Sequence, residues 1–393
     1  MDNLIDNLIS RWEKAFDDIH NLPAFKAQVK ITLYAPGTRY NLEKYDQHSF
    51  PSNGALSNEK DDYEYGFNDQ GLPCYMTFGN EAIKTLWEGY YKYTDNLAEY
   101  IEFNINTGVP SALTRITFEN GRKITSQRLG INGKGTICKP NQSREELIKE
   151  YKENDLFFFL ITTTFEYDAD GRIIRSVSNN VAPGLGKYSS YDEYTYTDNQ
   201  LDKIRTFHEG GSNRLTYSRN RENLSQDELI EKVAQAMAQS IVSSLTHHET
   251  TSPLALLEIN YHYADNYFPL LVSQSQQEVE QRLENGGEVF FHDKYDDSSP
   301  LDITSFEDYF AQMEQLMEEQ DNWDIGRIAL RRTAAILTET KLLGKIKTTT
   351  DFAAYAVDWT VEGGREDLEE ILLECGVKPE TLDLWKEKKF ITE

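Results

Sequence analysis

The stretch TTTFEYDADGRIIRSVS, residues 162–178, holds side chains of the types used in acid–base chemistry. Asp168, Asp170 and Arg172 are close enough in sequence to act as an acid, a base and an electrophile. The same residues form an Asp-x-x-Gly turn between two runs of strand-forming residues, which is typical of a β-hairpin. Because similar frames recur along the chain, the hairpin is the favoured interpretation, and no catalytic residue is predicted.

Two glycine-rich stretches, GINGKGT and PGLGKYSS, have the glycines and the lysine that phosphate-binding loops use. That motif needs another glycine five positions before its Gly-Lys pair. The sequence has Arg128 and Val181 at those two positions. Both stretches are therefore predicted to be surface loops, and no nucleotide or other cofactor is expected.

The seven histidines lack the spacing of a zinc site. His247 and His248 are adjacent, and His262 and His292 are isolated, whereas a helical zinc site needs two histidines at i and i+4 beside an acid. The stretch HDKYDD, residues 292–297, lacks the glycine turn and the distal glutamate of a calcium loop. No metal site is predicted.

Nucleophilic catalysis also lacks its usual sequence patterns. There is no Gly-x-Ser-x-Gly motif, and Cys74, Cys138 and Cys375 are too widely separated to form a C-x-x-C pair. Paired carboxylates could act as acid and base, but the 66 acidic residues give no means of choosing a pair. The sequence therefore predicts a protein that is not an enzyme, with a carboxylate hydrolase as a less favoured alternative.

The negative charge is concentrated in the second half of the chain. Residues 225–393 hold 34 acidic and 14 basic residues, a net charge of −20, whereas residues 1–224 carry −6. Such a field repels nucleic acid and anionic membranes and attracts basic proteins. The one basic cluster, RIALRRTAAIL, contains Arg327, Arg331 and Arg332, which are predicted to neutralise nearby acids.

The amino-terminal stretch MDNLIDNLISRWEKAFDDIH has acids where a secretory signal would have a basic start. No run of the sequence approaches the roughly 18 consecutive apolar residues that a membrane-spanning helix needs. The three separated cysteines fit a reducing compartment. A cytoplasmic location is therefore expected, with export by a route that leaves no such signal as the alternative.

The elements that must position these residues follow from the hydrophobic spacing. Residues 3–20 have the i, i+3, i+4, i+7 pattern of an amphipathic helix. From about residue 60 to 220, short aromatic and β-branched runs end in Asn/Asp/Gly clusters, which predicts an antiparallel meander of hairpins. The stretch NNVAPGLGKYSSYDEY, residues 179–194, is predicted to be a loop that interrupts this sheet. The frame aromatics that precede the predicted turns are Phe67, Phe103, Phe118, Tyr167 and Tyr196.

The second half alternates helix and strand patterns. Ser225 and Glu228 have capping-box spacing before a long helical pattern, and LALLEINYHY, YFPLLVSQS and DFAAYAVDWT have strand patterns between further helices. The predicted fold class is therefore α+β, with an amino-terminal helix and a hairpin meander followed by a domain of helices packed on a small sheet. The predicted domains are residues 1–222 and 223–393.

Two resemblances add to this reading. The stretch FEYDADGRIIR resembles the YD repeat of Rhs-type proteins, a recurring stacked hairpin, and this resemblance implies only the hairpin here. The residues in register with that repeat are Phe165, Tyr167, Asp168, Gly171, Arg172 and Ile173. The second half is similar in element order to bacterial domains of unknown function that occur in toxin-immunity neighbourhoods. That resemblance implies a cytoplasmic protein that binds a cognate toxin and has no active site.

The resulting hypothesis is a bacterial immunity protein that binds and occludes a basic toxin domain. Electrostatic attraction would speed the encounter, and a few buried aromatic residues would supply most of the affinity. The predicted partner-binding residues form two acidic clusters: Glu314, Glu318, Glu319, Asp321 and Asp324, and Glu366, Asp367, Glu369 and Glu370. The alternative is a scaffold protein whose aromatic-rich sheet binds a protein or a polysaccharide.

Overall fold

The computed structural model describes residues 2–35, 42, 56–80, 84–131, 143–153, 158–182, 186–246, 252–262, 268–290, 299–320, 322–339, 344, 346–362 and 367–391. The chain divides into two compact units, unit 1 (Met1–Thr216) and unit 2 (Tyr217–Glu393). The domain boundary predicted between residues 222 and 223 lies in the turn that precedes the first helix of unit 2.

Unit 1 begins with helix α1 (Asp2–Ala15), a 3-10 helix (Asp18–Asn21) and the short helix α2 (Leu22–Lys26). The predicted helix over residues 3–20 is therefore correct for its first part, and its last turn is 3-10 rather than α. Helix α3 (Arg144–Glu153) lies between the seventh and eighth strands. The strands are β1 (Ile31–Ala35), β2 (Tyr63–Phe67), β3 (Pro73–Asn80), β4 (Thr85–Thr94), β5 (Leu97–Asn104), β6 (Val109–Glu119), β7 (Arg122–Ile131), β8 (Phe158–Tyr167), β9 (Ile173–Ala182), β10 (Gly186–Thr197), β11 (Gln200–His208) and β12 (Asn213–Ser218).

The strands of unit 1 form one twelve-stranded sheet in strict sequence order, so the predicted antiparallel meander is confirmed. All five frame aromatics lie at a register shift immediately before a turn. A β-bulge adds one residue to one strand and increases the local twist. The recurring frame is thus a structural repeat of bulge and turn, present at Phe67, Phe103, Phe118, Tyr167 and Tyr196.

Helix α1 packs against one face of this sheet through its apolar stripe. Leu8, Trp12 and Ala15 are completely buried. The Trp12 ring meets the Phe158 ring edge-on, with 5.2 Å between centroids, and its Nε1 donates to the carbonyl of Pro110 at 2.8 Å. A buried indole needs such an acceptor, because an unpaired N–H inside the core is costly.

A buried ion network also fixes α1 on the sheet. The Arg11 guanidinium donates to both carboxylate oxygens of Glu99, at 2.9 and 2.7 Å, and to Asp18 at 2.6 Å. Arg115 approaches the same Glu99 carboxylate at 2.9 Å. Since Glu99 is only 3% exposed, its charge depends on these two arginines for compensation.

The predicted loop over residues 179–194 is wrong. Its first part continues β9 to Ala182, and β10 begins at Gly186, with backbone pairing from Gly186 opposite Ala182 to Glu193 opposite Arg175. Serine and asparagine have weak strand preferences, but here both neighbouring strands supply ladder hydrogen bonds. The Oγ1 of Thr163 and the Oγ of Ser178 also share a cross-strand hydrogen bond of 2.9 Å. Residues 183–185 lie outside the described part of the chain.

Unit 2 contains a four-stranded sheet in the order β15-β14-β13-β16 with helices around it. Strands β13 and β16 are parallel, and the other neighbours are antiparallel. The α+β class is therefore confirmed. The elements of unit 2 are α4 (Gln226–Thr246), β13 (Leu254–Asn260), β14 (Leu270–Ser275), α5 (Gln276–Glu284), β15 (Ser299–Pro300), α6 (Glu307–Gln320), α7 (Asp324–Glu339), β16 (Thr348–Val357), α8 (Leu368–Glu374) and α9 (Pro379–Glu387).

Local signals in the sequence explain where these helices begin and end. The predicted capping box before α4 is present: the Ser225 N–H donates to Glu228 Oε2 at 2.8 Å, and the Glu228 N–H donates to Ser225 Oγ at 3.4 Å. Gly376 has φ +81°, the left-handed conformation that commonly ends a helix, directly after α8. Helix α7 then packs against α4 and β16 with most of its surface buried.

Candidate functional site

The side chains of the FEYDADGR stretch bond mainly to one another. One oxygen of Asp168 accepts from the backbone N–H groups of Asp170 and Arg172, at 3.0 and 2.9 Å, and the other accepts from Arg172 Nε at 2.7 Å. The hydrogen bond from the Arg172 backbone is the main reason that the pKa of Asp168 lies below its ordinary value. A carboxylate held in this way stays ionised and stabilises the turn, as the hairpin interpretation predicts.

An arginine directly after each of two turns contacts the frame tyrosine of a later hairpin. The Arg122 guanidinium lies 5.5 Å from the centre of the Tyr167 ring, and Arg172 lies 5.2 Å from the centre of the Tyr196 ring. Each tyrosine hydroxyl donates to the residue that follows the arginine: Tyr167 to the carbonyl of Lys123 at 2.6 Å, and Tyr196 to that of Ile173 at 2.9 Å. These contacts tie successive hairpins together by cation–π attraction and a hydrogen bond.

The first predicted acidic cluster lies at the end of α6 and the start of α7. Glu318 and Asp324 are exposed, and Glu314 and Glu319 are half-buried. Burial and, second, the charge of Glu318 raise the pKa of Glu319 above its ordinary value. Asp324 forms an ion pair with Arg327 at 3.2 Å. The fifth member, Asp321, lies outside the described residues.

The second predicted cluster is on α8. Asp367 precedes the helix and Glu370 lies in its first turn, and both are exposed and without an ion pair to any described residue. Glu369 is half-buried and accepts from Lys386 of α9 at 2.8 Å. The remaining member, Glu366, is outside the described residues. The described members of this cluster thus lie within one short segment.

The basic cluster of α7 is used inside unit 2, as the sequence predicts. Arg327 pairs with Asp324, and Arg332 pairs with Glu231 of α4 at 2.9 Å. Arg331 pairs with two further carboxylates. Directly after α9, Lys388 pairs with Asp351 at 2.7 Å. Because these basic side chains already pair with particular carboxylates, they do not neutralise the remaining excess of negative charge in this unit.

The sequence predicts that Arg331 neutralises acidic residues but does not identify them, because its partners come from distant positions. Arg331 is 6% exposed, its Nη2 donates to Glu362 at 2.5 Å, and its Nη1 donates to Glu374 of α8. Glu362 also accepts from the Tyr261 hydroxyl at 3.2 Å. Burial opposes the charge of Arg331, but the bond to Glu374 and the charge of Glu362 hold its pKa above the ordinary value. The arginine therefore joins α7, α8 and the segment that follows β16.

Sequence reasoning also missed a buried carboxylate in the parallel strand pair. Glu258 of β13 is 1% exposed and accepts from Tyr355 of β16 at 2.7 Å, from Trp359 Nε1 at 2.8 Å and from Asn260 Nδ2 at 3.0 Å. Ligands of α/β proteins often bind at the carboxyl ends of parallel strands. Here, three protein donors occupy the carboxylate, so it binds the two strands and the segment after β16 to one another.

Other chemistry is sparse in the part of the chain that the structure describes. Among those residues, no three His, Cys, Asp or Glu side chains come together as metal ligands. Cys74 and Cys375 are buried free thiols, and burial raises the pKa of Cys375 to about 12. No helix among the described residues is long and apolar enough to span a bilayer. His247, His248, Cys138 and residues 292–297 lie outside the described residues.

Comparison with known proteins gives no family assignment. The chain matches no protein-family model, and it has no significant match among curated proteins. Function must therefore be inferred from the charges and contacts of the chain itself.

Proposed function

We propose that this chain is a protein-binding protein without enzymatic activity, whose acidic second unit binds a basic protein partner. The observation that carries the proposal is the net charge of −20 on residues 225–393, together with exposed carboxylates on α6, α7 and α8. A surface of this kind attracts a basic protein over distances of about 10 Å at moderate salt. The resemblance of this half to toxin-immunity domains names the partner class, a basic toxin domain in the cytoplasm.

Occlusion of the partner is the mechanism that this proposal requires. The bound chain would cover the partner's functional surface, and no chemistry on either protein is needed. Charged rims determine the rate of encounter and its salt dependence, whereas a small apolar centre determines the dissociation rate. The exposed carboxylates Glu318, Asp367 and Glu370 belong to such a rim.

The test is recovery of partners from a native host lysate by the immobilised full chain, at low and high salt. We expect a basic protein to be retained at low salt and partly released at high salt. A variant with Glu318→Lys, Asp367→Lys and Glu370→Lys should lose this protein. A control variant with Glu166→Lys and Glu193→Lys, two charge reversals on the sheet of unit 1, should retain it. Recovery of no basic protein at either salt concentration would contradict the proposal.

A second function is favoured by one observation on the sheet of unit 1. Phe159 is 47% exposed and Tyr188 is 41% exposed. Tyr188 lies opposite Asn180, and Asn180 lies opposite Ile161 on the next strand. Because Ile161 is two positions from Phe159 on the same strand, Phe159 and Tyr188 lie on the same face of the sheet. Other aromatic residues, such as Phe103, are fully buried beneath α1. The exposed pair supports a scaffold function in which this face binds a polysaccharide or a protein.

This alternative predicts binding that the acidic surface does not influence. Co-sedimentation with an insoluble polysaccharide should fall for Phe159→Ala with Tyr188→Ala, and should be unchanged for Glu370→Lys. Absence of sedimentation above an inert-protein control would remove the polysaccharide version of this function.

A further inference from the structure

One face of the unit 1 sheet carries a continuous row of side chains from four neighbouring strands. Arg128 of β7 lies opposite Ile161 of β8. Ile161 lies opposite Asn180 of β9, which in turn lies opposite Tyr188 of β10. Directly opposite residues of antiparallel strands point to the same face, so these four side chains form one row. With strands about 4.8 Å apart, Arg128 and Tyr188 stand about 14 Å apart at the two ends of the row.

Phe159 lies on the same face, beside this row. It precedes Ile161 by two positions on β8 and lies opposite Gly130. A Cβ built on Gly130 would meet no atom within 4 Å, so this neighbouring position leaves the Phe159 ring open on that side. Phe159 and Tyr188 are 47% and 41% exposed. Two aromatic rings about 12 Å apart are therefore accessible to one extended ligand.

Hydroxyl groups line the other side of the row. Thr163 follows Ile161 by two positions, on the side away from Phe159, and lies opposite Ser178. Ser178 lies opposite Ser190 of β10. All three hydroxyl residues are partly exposed. The face thus offers aromatic rings, whose negative faces attract the weakly positive C–H groups of a sugar ring, and hydroxyls that can bond to those of the sugar.

Arg128 supplies an exposed positive charge at one end of the row. It forms no ion pair with a residue that the structure describes. Its charge acts on the nearby Glu102, but the carboxyl oxygens of Glu102 already accept from the hydroxyls of Ser111 and Tyr100, at 2.6 and 2.9 Å. The guanidinium therefore has donors that the carboxylate of a ligand can use.

We propose that this strip of the sheet binds an extended polysaccharide in which carboxylate-bearing sugars alternate with neutral ones. The inference rests on the second function proposed above and adds the class of ligand. The strip consists of Arg128, Phe159, Tyr188, Thr163, Ser178 and Ser190. Because it has two rings and one exposed cation, neutral sugars would stack on the rings while a carboxylate accepts from Arg128.

The charge and the polarity of the strip argue against other polymers. A nucleic acid has a negative charge on every nucleotide, and a chain of net charge −26 repels it. A protein interface has an apolar centre, whereas this strip has Asn180 and a row of hydroxyls between and beside its rings. A sparsely charged polysaccharide satisfies both conditions.

The test is isothermal titration calorimetry of the full chain at low salt with two oligosaccharides of equal length. One is from hyaluronan, in which glucuronate alternates with N-acetylglucosamine, and the other is from chitin, which contains N-acetylglucosamine alone. The first variant is Arg128→Gln. Its control is Lys187→Gln, which removes the same charge from an exposed residue next to Tyr188 whose side chain lies on the other face of the sheet.

The second variant, Gly130→Leu, places a side chain beside the Phe159 ring without removing any group. Its control is Gly79→Leu, at an exposed position of β3 where an added Cβ makes only ordinary contacts. Urea unfolding of each variant checks that it is folded.

We expect the wild type to bind the hyaluronan oligosaccharide at least about fivefold more tightly than the chitin oligosaccharide. Arg128→Gln should remove this preference by weakening hyaluronan binding alone. Gly130→Leu should weaken the binding of both oligosaccharides about tenfold, and both controls should bind like the wild type.

Three results would overturn the inference. If the wild type binds the two oligosaccharides alike, or if Arg128→Gln keeps the preference, the acidic ligand class is wrong and the second function stands. Unchanged binding by Gly130→Leu would show that sugars do not stack on Phe159. If neither oligosaccharide binds, this inference and the polysaccharide version of the second function fail together.

Discussion

Replacing Arg331 with methionine should destabilise unit 2 much more than the same replacement of its neighbour Arg332. The side chain of Arg331 is 7% exposed and binds Glu362 and Glu374, whose side chains are 17% and 44% exposed. The side chain of Arg332 is 41% exposed, and its partner Glu231 is 45% exposed. The same substitution at these two neighbouring positions of one helix therefore compares a buried ion pair with an exposed one.

The expected magnitudes follow from burial. Removing one partner of a buried ion pair costs about 3–5 kcal/mol, because the remaining charge is left without compensation. Glu374 can turn into solvent, and Glu362 keeps the Tyr261 hydroxyl as a donor, so we expect about 3 kcal/mol for Arg331→Met. Exposed pairs contribute about 0–1 kcal/mol, and Arg332→Met should fall in that range.

The assay is urea unfolding monitored by tryptophan fluorescence, with linear extrapolation of the free energy of unfolding to zero urea. Hydrogen exchange of peptides from α7 and α8 identifies the transition that belongs to unit 2. A second variant, Glu374→Gln, should cost less than Arg331→Met because it leaves no buried charge unpaired. If Arg331→Met lies within about 1 kcal/mol of the wild type, or if both arginine variants lose the same amount, the burial argument is wrong.

Three further predictions concern the hairpins, a half-buried carboxyl and a thiol. Tyr167→Phe and Tyr196→Phe should each cost about 1 kcal/mol in urea unfolding, since each loses one hydrogen bond, whereas Tyr188→Phe should cost nothing measurable. Burial raises the pKa of Glu102 despite two hydroxyl donors, so the folded state holds this proton more tightly than the unfolded chain. The stability that this group contributes is therefore present at low pH and is lost as pH rises through its folded pKa. The free energy of unfolding of Glu102→Gln should therefore rise relative to that of the wild type from pH 4.5 to 8. A difference between the two free energies that does not change with pH would contradict this prediction. Cys375 should remain unmodified by iodoacetamide at pH 8 in the native protein and react after unfolding, as mass spectrometry of its peptide would show.

The sequence predicted the elements well wherever local periodicity controls the structure. The apolar stripe of α1, the Ser225 capping box and the aromatic frame of the hairpins are all local patterns, and each has its counterpart in the fold. The loop predicted over residues 179–194 was wrong because neighbouring strands stabilise the extended conformation there through backbone hydrogen bonds, which no local sequence pattern reveals. The resemblance of one hairpin to the YD repeat stays a prediction.

The candidate site was predictable only in part. Clusters of acidic residues on one helix can be recognised from spacing, as for Glu369 and Glu370 on α8. The partners of Arg331 are 31 and 43 positions away, and Glu258 meets Trp359 across 101 positions. Contacts at such separations depend on how strands and helices pack, so composition and periodicity do not indicate them.

The central claim is that the acidic surface of unit 2 binds a basic protein. The most direct measurement compares capture from host lysate by the wild-type chain and by the variant with Glu318→Lys, Asp367→Lys and Glu370→Lys, with the captured proteins identified by mass spectrometry. We expect the wild type to retain a protein of high net positive charge that is released as the salt concentration rises and is absent with the variant. Equal capture of that protein by both chains, or capture of no basic protein by the wild type, would contradict it.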